Sequence, residues 1–329
     1  MGRVFVIGPK VDLDTCGAAF VLGFNPKVDE VKVVLSSQAS KEDLANPDVI
    51  CIEVGGSGRV AEGNFDHHDS DGPASSAIWQ AAVSIFGQRP RCQDVDACDE
   101  GSKKCTGRKP AYSYCYLYGE NCFFLRDEIL YNMILYIDEI DIHGPDRSRE
   151  FGSPLMGYFP FLSDVFAGML LLEPDPKRQF IHGVYILSKV YKCNLKADEV
   201  MPQLPEWDAW IQAKQKNDGE LRRALQDAVW DQTSSGLRLG ILETRYIGAP
   251  GTLYGAGAQV VVALNPDLKG IRKFTVAGND IRVDAVLPLL QKLETGWGGP
   301  ATGTIVGSPR DRDSKLSLEQ VVQIVKETL

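Results

Sequence analysis

Four histidines occur in the chain, His67, His68, His143 and His182, and two of them are adjacent in the run Asp66-His67-His68-Asp69. Taken alone, such a triplet reads as a solvated turn, because every buried polar group needs a partner. Its company points elsewhere. Asp12 and Asp14 stand just past the apolar run 3–7, and at a spacing of two in an extended loop both carboxylates face one side. Glu53 closes the apolar run 49–54 and precedes the turn Gly55-Gly56-Ser57-Gly58. Asp138 and Asp141 end the apolar stretch ILYNMILYIDEID, where a helix dipole disfavours anions unless a cation or water offsets it. Carboxylates with one or two imidazoles suit Mn²⁺, Mg²⁺ or Co²⁺ rather than a thiolate zinc site. The chemistry such residues could do is therefore metal-centred.

These residues need elements that deliver them to one place. Residues 3–7, 31–35 and 49–54 are continuous β-branched apolar runs, as expected for parallel strands covered on both faces. Helix-compatible segments separate them, the first from Thr15 to Leu22 with Asp14 or Thr15 as its N-cap. The pattern predicts an α/β fold with a doubly wound, mostly parallel sheet, which binds ligands at the carboxyl ends of its strands. Further helices are expected at 74–86, 126–140, 160–172, 177–192 and 206–230. After Ser234-Ser235-Gly236 the character changes, with strands LRLGILET, AQVVVALN and KFTVAG and helices at 282–294 and 315–328. The expected division is a metal-binding domain at 1–205 with a Cys-rich insertion near 88–125, a helical connector at 206–236, and a smaller α/β domain at 237–329 that binds substrate.

Composition narrows the function. The 329 residues carry a net charge of −9, which argues against a broad duplex-binding surface but leaves room for a local basic pocket. No apolar run is long enough to span a bilayer and no secretory signal opens the chain, so a cytoplasmic protein without membrane contact is expected. Eight cysteines in such a setting do not suggest a disulfide framework. Cys92, Cys98, Cys105, Cys115 and Cys122 lack any Cys-x-x-Cys pair, and the expectation is a surface excursion, with a structural metal as the alternative. Tyr112, Tyr114, Tyr116 and Tyr118 alternate as on a strand. His143 is read as a turn residue that could join the site, His182 as a core or interface residue, and Cys16 as a helix-start thiol without a base partner. Exposed helices leave a homodimer possible.

The segments VDLDTCGAAF (11–20), ICIEVGG (50–56), FDHHDSDG (65–72) and ILYIDEID (134–141) resemble, in order and spacing, the four motifs of the DHH phosphoesterases. That superfamily includes RecJ-type exonucleases, nanoRNA and pAp phosphatases and manganese-dependent inorganic pyrophosphatases. The resemblance implies Asp12 on one metal and Asp14 on the second, Glu53 bridging the two, and His67 with Asp138 completing the second. It further implies Asp66 as the carboxylate orienting a histidine, and His68 as the residue that contacts the scissile phosphate or acts as acid. GWGGPATGTIVGSPR (296–310) resembles the Gly-rich substrate loop of the DHH-associated domain, with Gly298, Gly299 and Arg310 towards phosphate. Lys10, Glu53 and Gly299 stand where many members carry His, Asp and His. The implied function is hydrolysis of a small phosphorylated substrate or short single-stranded oligonucleotide, with Mn²⁺ (or Mg²⁺ or Co²⁺) activating water and Lys10 or Arg310 stabilising phosphoryl charge. The departures keep open a one-metal enzyme, or a non-catalytic relative that binds a nucleotide or a partner.

Overall fold

The computed structural model describes residues 2–35, 38–68, 75–86, 127–143, 160–268, 270–299, 303–309 and 312–329. The five cysteines of 92–122, the alternating tyrosines and Arg310 lie outside the described residues. Two compact units, Met1–Lys214 and Gln215–Leu329, make up the chain.

The first unit holds a parallel sheet of β1 (Val4–Ile7), β2 (Glu30–Val33), β3 (Val49–Ile52) and β4 (Asn64–Phe65) in the order β2-β1-β3-β4. Alternation explains why its central strands read as continuous apolar runs. Phe5 and Ile7 of β1 enter the main core, whereas Val6 joins a second cluster with Val49 and Cys51 of β3 on the other face. Both faces are buried, so no polar position remains. The chain leaves β1 for β2 on one side and returns to β3 on the other. The switch point therefore lies between β1 and β3, where open α/β sheets form their ligand crevice.

Helix α1 (Leu13–Val21) follows β1 directly, and it starts earlier than the sequence pattern predicts. Its N-cap is Asp12, whose Oδ1 accepts from the backbone N–H of Thr15 at 2.9 Å and from its hydroxyl at 2.8 Å. A carboxylate here satisfies the donors that an Asp14 or Thr15 cap would have left open. Beyond the short α2 (Lys41–Ala45), α3 (Ala77–Phe86) and α4 (Glu128–His143) pack on α1, and α5 (Leu162–Leu172) and α6 (Pro176–Lys192) complete the main core. Gly17 lets these helices approach, since a Cβ there would lie 2.6 Å from Ile78 Cδ1 and 3.2 Å from Ile137 Cδ1.

Helix α7 (Asp208–Ala224) contains the boundary between the units, and it is shorter than the expected 206–230. Residues 225–227 form a 3-10 turn, and Val229–Gln232 pair antiparallel with Arg238–Glu243 as β5 and β6. Strand pairing overrides the helical propensity of the Leu-, Gln- and Ala-rich stretch, which is a weak local preference. The second sheet is mixed, in the order β5-β6-β7-β8-β9, with β7 at Val260–Leu268, β8 at Ile271–Gly278 and β9 at Ile305–Gly307. Helices α8 (Ala249–Gly255), α9 (Leu287–Leu293) and α10 (Leu318–Thr328) cover it. The expected helix at 282–294 is split into a 3-10 turn at Asp284–Val286 and α9. Among the described residues no helix is long and apolar enough to cross a membrane.

Because Gly17 sits where three helices meet, Gly17→Val should overpack that junction at a cost of about 1–3 kcal/mol. Thermal denaturation checks this, and a variant that melts with the wild type would remove the close-packing account of the α1 position.

Candidate metal centre

Three strand ends supply the site. Past β1 come Asp12 and Asp14, past β3 comes Glu53, and past β4 come Asp66, His67 and His68. Helix α4 adds Asp141 from its last turn.

His67 is the centre of the arrangement. Its Nε2 lies 3.2 Å from Glu53 Oε1, 3.2 Å from Asp141 Oδ2 and 4.0 Å from Asp14 Oδ2. Nε2, Glu53 Oε1 and Asp141 Oδ2 are all buried, and none has a hydrogen-bond partner. Unsatisfied buried atoms are rare and costly, so three of them facing one another from three segments call for an occupant. His67 groups with Glu53 and His68, and again with Asp14 and Asp141, at distances that suit a shared cation. Nitrogen and carboxylate oxygen donors fit Mn²⁺, Mg²⁺ or Co²⁺.

The backbone holds Glu53 in an uncommon state. Its φ of 58° places a non-glycine residue in the left-handed region. Its N–H donates to Phe65 O at 2.9 Å, so the β3–β4 pairing fixes that conformation next to the site.

Burial and mutual repulsion act on these acids. Burial pushes the Glu53 and Asp14 carboxyls well above the usual range, and neighbouring carboxylates, including Asp12 and Asp141, add to it. Asp141 is pushed up to about 6, chiefly by burial. Asp66 behaves oppositely. Burial works against its charge, yet hydrogen bonds from His68 and Gly55 outweigh that and hold its carboxyl below the usual value. In return, the bond to Asp66 raises the His68 pKa against the effect of burial. Cys16 is buried, and its thiol is pushed well up by burial and then by Asp12 and Asp14, which makes it inert packing rather than a nucleophile.

Asp66 Oδ1 accepts from the His68 N–H at 2.7 Å and lies 3.1 Å from His68 Nδ1, while Oδ2 accepts from Gly55 N–H. His68 itself is half-exposed. Lys10 is exposed on the loop two residues before Asp12. Asp138 Oδ1 accepts the Ser76 hydroxyl at 2.6 Å, and among the described residues Asp138 makes no ion pair with His67. The acid that α4 sends to His67 is Asp141, one helical turn further on. In the second unit, Gly298 exchanges backbone hydrogen bonds with Gly307, and a Cβ on Gly299 would collide with the carbonyl of Ile305. Packing against β9 accounts for glycine there.

Gln80 carries a role that sequence inspection missed. Buried on α3, it donates through Nε2 to Asp66 O at 3.1 Å and to Ser75 O at 2.9 Å, tying the histidine segment to the helix start. A glutamine within the apolar run AIWQAAV was the available signal. From the same helix start, the N–H groups of Ala77 and Ile78 each donate to Asp14 at 2.7 Å.

No protein-family model matches the chain, and no curated protein matches it. Among solved structures it is similar to a DHH domain from a member of the s1p family of ribosomal proteins, at 11% identity and a TM-score of 0.40, covering 98% of this chain and 86% of that one. It is also similar to CDC45 from Entamoeba histolytica, at 12% identity and a TM-score of 0.44, covering 99% and 95%. An uncharacterized protein from Helicobacter pylori G27 matches at 11% identity with a TM-score of 0.24, covering 99% of each chain. Likeness of this degree says nothing about chemistry.

A carboxyl whose folded pKa is raised binds more protons folded than unfolded, so its contribution to stability falls as pH climbs from the unfolded to the folded value. For Asp141 that window runs from 3.8 to about 6, and Glu53 and Asp14 act in the same direction. Metal-stripped Glu53→Gln should therefore melt above the wild type at pH about 7.5, with the gap closing near pH ~4. Melting curves across pH decide it, and a variant less stable at every pH would sink the charge-repulsion account. Gln80→Leu leaves two carbonyls without their donor and should weaken Mn²⁺ binding roughly 10-fold, as loss of a ligand-supporting contact does. Isothermal titration reads this, and unchanged affinity would contradict the clamp.

Proposed function

We propose that the chain is a divalent-metal-dependent phosphoesterase of the DHH type, acting on a small phosphorylated substrate: a phosphodiester, a phosphoanhydride or a short single-stranded oligonucleotide. The observation that carries this is the convergence of Glu53 Oε1, His67 Nε2 and Asp141 Oδ2, buried and without hydrogen-bond partners. The four ordered motifs of the sequence support the same reading. Glu53, His67 and His68, or Asp14, His67 and Asp141, would hold the cation. Bound there, a divalent ion supplies an activated water and a counter-charge for phosphoryl oxygens.

The chain's own residues do the rest. Asp66 fixes the His68 ring through Nδ1, which leaves Nε2 as the nitrogen that can donate. The raised pKa keeps the imidazole protonated to higher pH, which suits an acid that delivers a proton to a leaving oxygen or pairs with a phosphate. Lys10 places a cation on the same loop as Asp12, where it attracts phosphate without ligating metal. The −9 net charge disfavours long polyanions and matches a substrate with few phosphates.

The test is turnover by metal-stripped protein given Mn²⁺, Mg²⁺ or Co²⁺, against pyrophosphate, tripolyphosphate, pAp, a cyclic dinucleotide, a linear dinucleotide and bis-p-nitrophenyl phosphate. Metal-dependent release of product is expected, and His67→Ala should abolish it. His68→Ala should lower kcat by about 100-fold, the usual scale for a lost general acid. Metal binding without turnover on any of these would instead mark a non-catalytic nucleotide- or partner-binding protein.

A further inference from the structure

We propose that Ser76 is a positioning residue of the cation site: its hydroxyl holds Asp138 so that Asp141, one helical turn further on, is aimed at His67. The inference rests on the metal-centred reading above, and within it on the donor group Asp14, His67 and Asp141. Ser76 is fully buried immediately before α3, and its carbonyl accepts the Gln80 N–H at 3.1 Å, which makes it the N-cap of that helix. The same helix start reaches both acids of the group. The N–H groups of Ala77 and Ile78 each donate to Asp14 at 2.7 Å. Asp141 is reached indirectly, through Asp138, whose Oδ1 accepts the Ser76 hydroxyl at 2.6 Å and lies 3.4 Å from the Ser76 nitrogen.

A directional contact is needed there. Residues three apart share one face of a helix, so holding Asp138 fixes the rotation of α4 beneath Asp141. Core packing alone does this poorly: Ile134 and Ile137 are fully buried, but apolar burial has no preferred direction. Asn132 to Asp198 at 2.7 Å and the Tyr136 hydroxyl to Ser163 at 3.2 Å tie earlier positions of α4. The Ser76–Asp138 bond falls in the range of charge-assisted O–H···O⁻ bonds, about 2.5–2.7 Å, which are roughly twice as strong as neutral ones. Asp141 Oδ2, 3.2 Å from His67 Nε2, has no hydrogen-bond partner of its own. Its place is therefore set by α4, and the turn before it is where α4 is held. Asp138 is the tether and Asp141 the ligand.

The experiment is a Mn²⁺ titration of the full, metal-stripped chain by isothermal calorimetry, with melting of each metal-free variant measured alongside. Ser76→Ala and Asp138→Ala should each weaken affinity by roughly 10-fold, and the double variant by no more than either alone, because both remove one shared contact. Asp138→Asn keeps an oxygen for the Ser76 hydroxyl, so it should recover most of the affinity that Asp138→Ala loses. Asp141→Asn alters a ligand and should lose about 10-fold or more. An Asp138→Asn loss equal to that of Asp138→Ala would overturn the inference, as would losses that multiply in the double variant or wild-type affinity in Ser76→Ala. The two Asp138 variants decide between tether and ligand even if Ser76→Ala fails to fold. Wild-type affinity in Asp141→Asn puts the cation on Glu53, His67 and His68 and defeats the inference alone. A wild type that binds no Mn²⁺ defeats the metal-centred reading and the inference with it.

Discussion

The site depends on a crowding of carboxylates around one imidazole. Asp14 is buried and Glu53 partly buried beside Asp12 and Asp141, and Glu53 and Asp141 each come within 3.2 Å of one imidazole. Burial destabilises the charged forms of Asp14, Glu53 and Asp141, and neighbouring carboxylates add to it. Such a cluster persists in a folded chain only if the surrounding structure over-determines it, as is common where function requires strain.

Helix α3 is the main support. Its first N–H groups meet Asp14, the hydroxyl of Ser76 just before it meets Asp138, and its Gln80 reaches back to Asp66. A helix N-terminus carries partial positive charge, so aiming it at a buried carboxylate offsets part of the desolvation cost. Asp66 then links outward to Gly55 and His68. One helix thus joins the acids past β1, the histidine pair past β4 and the carboxylate of α4. Close packing at Gly17 keeps α1, α3 and α4 near enough for those short bonds to form.

The two units differ in how much their strands revealed. In the first, β1 and β3 are buried on both faces and appear as unbroken apolar runs, so these strands and their parallel pairing were legible. Strand β4 is two residues long and β5 lies inside a helix-compatible stretch, and neither has a local signal. Their strand character comes from pairing with β3 and β6 respectively. In the second unit, glycine at 299 reflects the nearness of the Ile305 carbonyl, a contact that spacing along the chain does not encode.

The inventory was legible from local pattern alone: an α/β chain, acids after the first and third strands, an Asp-His-His run, and an acidic pair ending an apolar helix. Those features are local, since strand burial, strand ends and helix ends all leave periodic or terminal marks. Tertiary structure decided which atoms meet. Asp138 and Asp141 are three residues apart on one helix, and nothing local distinguishes them. The packing of α4 turns the first to Ser76 and the second to His67. It also made Asp12 a helix cap, sent both Asp14 oxygens to α3, and left three atoms without partners around one point. A ligand set is a set of distances between remote segments, and only the packed chain fixes those.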